Sequence, residues 1–432
     1  MAKVSPLPPR PIPAEIMASA SPSDGQFVSP RGLAESRKAA ESQVALLTGG
    51  GDRPYAIGLA TALIARGLYL DFIGSDELDS LELRMSPKLT FLNFRGNQAE
   101  DATLLRKISR VLTYYARLIR YASGAKPKIF HILWNNKFEL FDRTLLMLYY
   151  KLRGKRIAFT AHNVNAGRRD SNDSLLNRLS LKVQYRLADH IFVHTETMKR
   201  DLLDDFAVRE EAITVIPLGI NNSLPDTDLT PGQAKKRLSI GDGERVILFF
   251  GRIAPYKGVE FLVGAFQRLA AQNPDYRLII AGRPNRGCEK YFHEIQCEIE
   301  RIGIRDQVIQ RIGHIPDEET ELYFKAAEVL VLPYTDTSQS GVLILGYSFG
   351  IPVIATDVGS FRQDIIEGRT GLLCRPRDPV DLARVIEAYF RSDLFKALDS
   401  QRPEIRAYGS QRYSWDVVSQ TTRRVYEQLL TH

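Results

Sequence analysis

The chain has 432 residues, of which 44% are hydrophobic and 25% are charged. That balance excludes a disordered or fibrous chain, and the length exceeds what one ordinary hydrophobic core supports, so we expect two domains. The formal net charge of +7 favours an anionic partner: a nucleic acid, an acidic membrane surface or a phosphorylated small molecule.

The cysteines and the first residues suggest where the protein works. Cys288, Cys297 and Cys374 are an odd number and form no CxxC pair, so we predict reduced thiols, no structural zinc and a cytoplasmic location. Residues 1–40 are rich in Pro and Ser and lack the apolar centre of a secretory signal, so we predict a disordered leader. No run of about 18 apolar residues occurs, so no membrane-spanning helix is expected.

Short apolar runs alternate with helical patterns from Val44 onward. We predict buried strands at VALLT, YLDFIG, KLTFLNF, KIFHILW, KRIAFTA and DHIFVHT. Alternating strands and helices favour an α/β fold with a parallel sheet covered on both faces. This series predicts an N-terminal domain over residues 41–218.

The pattern breaks at VIPLGINNSLPDTDLTPGQ, residues 215–233, where Pro, Gly and Asn predict a domain boundary. A second series of strands is then predicted at RVILFF, YRLIIAG, QVIQRIG, EVLVLP, PVIAT and GLLC. The prediction is therefore two Rossmann-like doubly wound domains, 41–218 and 219–410, that face a cleft. In residues 411–432, a helix would align Trp415, Val418, Thr422, Val425 and Leu429 on one face.

Two cations stand in a strand-to-helix turn at FFGRIAPYKG, residues 249–258. Gly251 ends the apolar run, Arg252 and Lys257 follow, and a helical pattern begins after Gly258. The unpaired N–H groups of a helix start, together with two cations, suit a diphosphate. The alternative interpretation is a pair of solvated charges on a surface loop.

A second candidate site for an anion or a hydroxyl group follows at TSQSGV, residues 337–342. The side chains of Ser338, Gln339 and Ser340 and the amides of Gly341 and Val342 stand at a predicted helix start. An ordinary helix capped by Ser340 would explain the same residues, so this motif alone does not decide between the two interpretations.

Taken together and in this order, several stretches resemble the family 4 (group 1) glycosyltransferases. In the second half they are FFGRIAPYKG, RLIIAGRP, RIGHIPDEETELYFKAAEVLVLPY, SGVLILGYSFGIPVIATDVGSFRQDIIEGRTGLL and the terminal YSWDVV…VYEQLL; in the first half they are TGGGDRPYAIGLATALIARG, FTAHNV and ADHIFVHTETMKRDL. The resemblance implies a GT-B fold, with a nucleotide sugar bound by the C-terminal domain and the acceptor mostly by the N-terminal domain. It also implies a last helix that crosses back to the first domain, and transfer with retention and without a metal.

The resemblance assigns roles by position. Arg252 and Lys257 would contact the donor diphosphate and stabilise the departing nucleoside diphosphate, and His162 would face the transferred sugar. Composition alone fits a packed histidine at His162 equally well. The other implied donor contacts are Gly251, Gly313, His314, Ile315, Ser340, Gly341 and Val342, with Gly50 and Gly51 on the acceptor side. For His314, an exposed loop histidine is the alternative to stacking on a base.

The chain departs from the family pattern at a Glu-x7-Glu pair. Counting back from Gly350, the two positions hold Thr337 and Leu345, so this is an SQSGV variant without either carboxylate. We hypothesise that the neighbouring Asp336 compensates. The Asp-x-Asp spelling at residues 226–228 lies in the linker rather than after a buried strand, so no metal ligand and no cofactor are predicted.

Residues 102–128 carry seven basic side chains and no acid, beside an apolar stripe. One interpretation is docking to anionic lipid, to which each basic residue near the surface contributes about 1 kcal/mol. It would suit a lipid-linked acceptor and a peripheral position on the inner face of the plasma membrane. The other is a surface helix packed on the sheet with a solvated cationic face. No RNA-binding signature is present, so no nucleic-acid partner is predicted.

The leading prediction is a hexosyl-type glycosyltransferase that joins a nucleotide sugar to a glycan or lipid-linked acceptor in polysaccharide or glycoconjugate biosynthesis. A nucleotide-sugar 2-epimerase of the same fold would need carboxylates and histidines converging on the sugar, and the second half is poor in them. A non-catalytic, degenerate transferase acting as a scaffold also stays open, because both glutamates are lost.

Overall fold

The structure, a computed structural model, describes residues 43–98, 103–169, 173–220 and 224–431. The predicted leader, residues 1–40, lies outside the described residues. The described chain forms two parallel sheets with helices against them, which confirms the prediction of two Rossmann-like α/β units.

Seven strands form the first sheet, in the order β3-β2-β1-β4-β5-β6-β7. Their bounds are β1 Val44–Leu47, β2 Leu70–Gly74, β3 Leu89–Asn93, β4 Ile129–Ile132, β5 Arg156–Thr160, β6 His190–Val193 and β7 Ile213–Val215. The register places Val44 opposite both Leu70 and Ile129. The apolar runs predict the first six strands, whereas β7 has three residues and lies where the sequence already signals the linker.

Six strands form the second sheet, in the order β10-β9-β8-β11-β12-β13. Their bounds are β8 Arg245–Phe250, β9 Tyr276–Gly282, β10 Val308–Ile312, β11 Val329–Leu332, β12 Val353–Thr356 and β13 Gly371–Cys374. All six coincide with predicted apolar runs.

Helices connect the strands. In the first half they are α1 Arg53–Ala65, α2 Leu81–Met85, α3 Leu104–Gly124, α4 Glu139–Phe141, α5 Met147–Leu152, α6 Ala166–Arg169, α7 Leu175–Leu187 and α8 Glu196–Phe206. A single turn of π-helix, Asp142–Leu146, which we call the π-turn, joins α4 to α5. In the second half they are α9 Pro231–Arg237, α10 Val259–Gln272, α11 Glu289–Arg301, α12 Asp317–Ala326, α13 Gly341–Ser348, α14 Phe361–Asp364, α15 Pro379–Arg391, α16 Asp393–Lys396, α17 Leu398–Arg412 and α18 Trp415–Thr431.

The linker contains a helix that its Pro and Gly content conceals. In α9, the Thr230 side chain accepts a hydrogen bond from the Gln233 amide while the Gln233 side chain accepts one from the Thr230 amide. This reciprocal capping box, with Pro231 at the first helical position, is a helix-start signal. The same Pro that suggests a loop therefore begins a helix.

Strand β1 shows why its residues are apolar throughout. Ala45 and Leu47 pack into a core on one face of the first sheet, with side chains from α3 and α7. Val44 and Leu46 pack into a second core on the other face, with side chains from α1 and α18. A strand buried on both faces carries continuous apolar residues rather than an alternating pattern.

The last helix, α18, begins at Trp415 and packs on helix α1 of the first half. The Trp415 indole lies against Gly58 of α1 and against Gly219 in the linker, and a methyl group on either glycine would overlap it. Its Nε1 donates to the Ile220 carbonyl oxygen at 2.7 Å. The expected apolar face is buried here, since Val418, Thr422 and Val425 are at most 4% exposed. Trp415 therefore connects the linker at Gly219 and Ile220 to helix α1, which packs on the first sheet.

Replacing Trp415 with Ala should lower the free energy of unfolding by about 3 kcal/mol, because a large aromatic group is removed from a packed site. Thermal and urea unfolding of the full chain measure this loss. Val417→Ala, on the same helix but exposed, is the matched control and should change stability by no more than about 0.5 kcal/mol. Equal stability of both variants would contradict a stabilising contact of Trp415 with α1 and the linker.

Candidate functional site

In both sheets the strand order reverses direction in the middle of the sheet. In the first sheet the chain runs outward from β1 to β3 and returns with β4 on the other side of β1; in the second it does the same at β8 and β11. The helices that follow neighbouring strands at such a switch point leave in opposite directions, so a crevice opens beyond the carboxyl ends of those strands. The candidate residues follow these strands.

A row of glycines ends three neighbouring strands of the second sheet. Gly251, Gly282 and Gly313 stand at the carboxyl ends of β8, β9 and β10, all with positive φ. The Gly313 amide donates to the Gly282 carbonyl, and a methyl group on Gly282 would overlap the Gly251 carbonyl. The backbones of β8 and β9 therefore approach too closely for a side chain at Gly282, which leaves peptide groups as the surface of the edge there.

Lys257 lies on this edge with little water around it. Its Nζ is 3.6 Å from the centre of the Tyr334 ring, which follows β11, and 5.1 Å from that of Tyr256. Loss of hydration, helped by the charge of Arg169, lowers the pKa of Lys257 to about 7. Among the described residues no carboxylate forms an ion pair with it. The ammonium is thus held by aromatic faces and lacks a counter-charge.

Arg252 is exposed and forms no hydrogen bond or ion pair within the described part of the chain. It does not line the cleft that contains Lys257. Gly251, beside it, approaches Val342, since a methyl group there would lie 3.2 Å from Val342 Cγ2. The two motifs that the sequence analysis treated separately are therefore neighbours in space.

Ser340, Gly341 and Val342 form the start of α13. The Ser340 hydroxyl is buried, accepts a hydrogen bond from the Leu343 amide and lies 3.5 Å from Tyr334 Oη. The Ser340 side chain therefore caps the helix, which agrees with the interpretation of this motif as an ordinary capped helix. Gly341 is exposed and lines the cleft. His314 is also exposed, whereas Ile315 packs into the core.

The glycine loop after β1 is confined by two side chains. A methyl group on Gly50 would overlap the Arg95 guanidinium, and one on Gly51 would overlap the Trp134 indole. Gly50 also has a positive φ of 81°. The loop then enters α1, where Asp52 accepts a hydrogen bond from the Tyr55 amide. Burial raises the pKa of Asp52.

His162 follows β5 and is enclosed by aromatic rings. Its ring stacks on Trp134, with centroids 4.1 Å apart and planes 3° from parallel, and Tyr55 meets it edge-on. Burial, and the neighbouring His194, lower the pKa of His162 well below its usual range, so the ring is neutral. The arrangement combines both sequence interpretations, because the ring is packed and also lines the cleft.

A second histidine, His194, sets the tautomer of His162. His194 Nδ1 lies 3.1 Å from the Ile216 carbonyl oxygen, which can only accept, so the proton is on Nδ1. Burial lowers the pKa of His194 to about 4, and its Nε2 is therefore a lone pair. That lone pair accepts from His162 Nδ1 at 3.1 Å. His162 Nε2 is left as a buried acceptor with no partner in the described structure.

The two halves meet at a cavity of about 230 Å³. His162, Lys257 and Gly341 line it, so the structure brings together predicted residues from both halves. The Gln339 side chain donates to the His162 carbonyl oxygen at 3.3 Å, and Arg169 lies 4.6 Å over the Tyr256 ring. Gln339, which the sequence analysis places at the second candidate site, lines the cleft as well. Sequence reasoning assigned no role to these lining residues: Asp52, Tyr55, Trp134, Asn163, Arg169, Leu218 and Tyr256.

The positions of the two absent glutamates are filled without a carboxylate. The Thr337 hydroxyl donates to the Gln339 carbonyl at 2.7 Å, and Leu345 packs against the core. Asp336 is exposed, and the hypothesis that it compensates stays a prediction. In the linker, Asp226 forms ion pairs with Lys325 at 2.9 Å and Arg406 at 2.7 Å, which gives this Asp-x-Asp residue a structural role.

The described residues bring no three His, Cys, Asp or Glu side chains together as a metal site would. None of their helices combines the length and apolarity needed to cross a bilayer.

Two family models match the chain. The model for glycosyl transferases group 1 matches residues 244–392, and the model for glycosyltransferase family 4 matches residues 49–224. The two matches lie on the two sheets in turn and together take in most of the described chain.

Curated relatives agree with these models over part of their length. The chain is 26% identical over 247 residues to the D-inositol 3-phosphate glycosyltransferase of Corynebacterium jeikeium, covering 56% of this chain and 58% of that protein. It is 30% identical over 213 residues to the protein of the same name from Stackebrandtia nassauensis, covering 46% of each. The chain thus spans less than two thirds of the length of these relatives.

Solved structures share the fold along nearly the whole chain. HepE of Anabaena in complex with UDP superposes with a TM-score of 0.69 at 15% identity, over 90% of this chain and 100% of that one. Sucrose-phosphate synthase from Thermosynechococcus elongatus gives a TM-score of 0.69 at 20% identity, with the same coverage. At these identities the likeness shows the GT-B fold.

Binding of an anion beside Lys257 should take up a proton at pH 8. With its pKa lowered to about 7 the empty site is mostly neutral at that pH, and an anion favours the charged form, so the pKa rises on binding. Calorimetric titration with inorganic pyrophosphate, in buffers of different ionisation enthalpy, measures the uptake. It should vanish below about pH 6, where the ammonium is already charged.

The matched comparison is Lys257→Met against Lys290→Met, since Lys290 is an exposed lysine on α11. Only the first variant should lose the uptake. Pyrophosphate binding with the same proton count in Lys257→Met would contradict the assignment of the anion to this ammonium.

His162 should be protonated on Nδ1 and not on Nε2 at neutral pH, because the Ile216 carbonyl and His194 fix its tautomer. Long-range ¹H–¹⁵N spectra of the full chain distinguish the two nitrogens. In His194→Phe the acceptor is lost, and a share of the signal should move to the Nε2–H form. His293→Gln, at an exposed histidine on α11, should leave the spectrum of His162 unchanged; Nε2–H in the wild-type chain would refute the arrangement.

Proposed function

The chain belongs to the group 1 glycosyltransferases, and we propose that it transfers a hexose-type sugar from a nucleoside diphosphate sugar to a glycan or lipid-linked saccharide. The observation that carries this proposal is the desolvated ammonium of Lys257, which has no ion pair among the described residues and lies in the cleft that Gly341, at the start of α13, also lines. An anion with extended phosphates is the ligand that a cation beside a helix start suits.

We assign the donor diphosphate to Lys257 and to the amides of Gly341 and Val342 at the start of α13. Charge develops on the leaving diphosphate as the glycosidic bond breaks, and a fixed cation with oriented N–H groups stabilises it without having to reorganise. Arg252, on the same loop, is the proposed second cation. Because these groups supply the positive charge, the proposal includes no metal, and activity should survive chelation by EDTA.

His162 is assigned to the transferred sugar. Its Nε2 is an acceptor without a partner, and a sugar hydroxyl is a donor of the right kind. The base would lie on the segment from Gly313 to Ile315, and the acceptor on the side of Gly50 and Gly51. Retention of the anomeric configuration is proposed on the family resemblance alone.

Support for the donor class comes from a structural neighbour. HepE of Anabaena, whose fold this chain shares, has been solved with UDP-glucose. The curated relatives are named for an inositol phosphate acceptor; for this chain the acceptor is proposed only as a glycan or a lipid-linked saccharide.

Lys257→Met should lower kcat/KM for sugar transfer about 100- to 1000-fold, as the loss of one preorganised charge-stabilising group does elsewhere. Arg252→Met should lose less, about tenfold, since solvent screens an exposed cation. Release of nucleoside diphosphate, followed with and without acceptor, measures both effects, and Lys290→Met is the control.

The same assay separates the rival functions. Diphosphate release that requires acceptor supports transfer. Conversion of the nucleotide sugar without any acceptor would indicate the epimerase, and nucleotide binding without turnover would indicate the scaffold. Either of these last two outcomes would overturn the proposed reaction.

A further inference from the structure

Exposed large hydrophobic side chains are concentrated on one side of the first sheet. Within the described residues there are 18, and 13 of them lie on α3, on residues 138–152 or on α7. Leu105 and Leu175 are each 80% exposed, and Leu152 is 77% exposed. Scattered exposed leucines need no explanation, but a concentration of this kind on one face marks an interaction surface.

The three segments lie side by side. Tyr149 Oη of α5 donates to the Ile119 carbonyl of α3 at 3.2 Å, and Arg143 of the π-turn donates to Asn177 of α7 at 2.8 Å. Their inner faces share one core, which includes Leu118, Met147 and Leu181. The exposed residues are therefore on the outer faces of adjacent helices, and we call this surface the outer face of the first domain.

Its charge is strongly positive. The sequences of α3, residues 138–152 and α7 contain ten Lys and Arg and two acids, an excess of eight positive charges. One of the two acids, Glu139, is paired within the face, and the other, Asp142, is buried. Two acids at the border, Asp173 and Asp189, each pair with one cation of the face. The excess on this face is still comparable to the +7 of the whole chain, so much of the basic character belongs to it.

On α7 the apolar and basic side chains alternate around the exposed half of the helix. Leu175, Leu179 and Val183 are exposed, with Arg178, Lys182 and Arg186 between them. Arginine and lysine can extend toward charged headgroups while the leucines enter the acyl boundary. A nucleic acid would use the cations but would gain nothing from the leucines.

We propose that the outer face of the first domain docks on the surface of an anionic lipid bilayer, through α3, residues 138–152 and α7 together. A bilayer is chosen because of charge complementarity: its anionic headgroups pair with the cations. The leucines insert at the boundary between the headgroups and the acyl chains. A second copy of this chain fits less well, because a two-fold contact would bring like-charged surfaces together.

The outer face reaches the rim of the cleft. At the start of α7, the Asn177 side chain donates to Asn165 at 3.0 Å, three residues after His162. Phe138, four residues after Trp134, stacks on Tyr115 of α3. Docking would thus hold the acceptor side of the cleft next to the bilayer. That the acceptor is a lipid-linked saccharide is a consequence that rests on the proposed function, whereas docking itself does not.

The test is flotation of the full chain with vesicles of equal parts phosphatidylglycerol and phosphatidylcholine, against phosphatidylcholine alone. Partitioning to the anionic vesicles should be at least about tenfold stronger. The double variant Leu112→Ser, Leu179→Ser, one change on α3 and one on α7, should lose about tenfold of it. The matched control Val417→Ser, Leu430→Ser changes two exposed apolar residues of α18 and should bind as the wild type does.

Each other outcome overturns the proposal. Equal binding to both vesicle types removes the role of the cations, and wild-type binding by the Leu112, Leu179 variant removes the role of the leucines. A dimer by sedimentation velocity that this variant abolishes would assign the face to a second copy. Nucleotide binding, measured on the same preparations by thermal shift with UDP and GDP, reports on the donor site separately, so failure of docking and failure of the proposed reaction are distinguishable.

Discussion

The function proposed for this protein depends on one electrostatic imbalance: Lys257 is largely removed from water and has no carboxylate partner among the described residues. An ammonium packed over the Tyr334 ring keeps part of its stabilisation through the π face, yet its pKa still falls to about 7. Such a group is costly to a protein unless something outside the chain neutralises it. Arg169, brought by the first domain onto Tyr256, adds a second positive charge nearby. The cleft is therefore preorganised for an anion.

Backbone geometry determines where that anion can lie. Parallel strands deliver Gly251, Gly282 and Gly313 to a single edge, where the Gly251 carbonyl leaves no room for a side chain at Gly282. Val342, from the start of α13, closes against the first of them. The edge therefore offers N–H groups and a cation but no bulk, which is the requirement for close approach to a phosphate chain. On the opposite side, Gly50 and Gly51 leave the Arg95 and Trp134 side chains as the walls.

Local sequence predicts the individual strands and motifs better than it predicts which distant residues come into contact. Apolar runs predict twelve of the thirteen strands, and the family resemblance directs attention to His162 and Lys257. Neither source identifies Tyr55, Trp134 or His194, because these residues come from distant segments and converge only through the strand order of the first sheet. Ser340 shows the converse: its motif suits ligand binding, but in the structure its hydroxyl caps the helix.

The loss of the two glutamates changes the balance of charge in the cleft rather than its shape. Thr337 and Leu345 pack where the family places carboxylates, so no acid from α13 competes for Lys257. Among the residues lining the cleft, Asp52 is the acid; burial raises its pKa, and the capping bond that it accepts from the Tyr55 amide ties it to α1. The cavity is consequently more positive than a cleft with the usual pair would be. Under the proposed function, this variant would hold its donor mainly through the diphosphate, and recognition of the sugar would fall to uncharged groups such as the His162 lone pair.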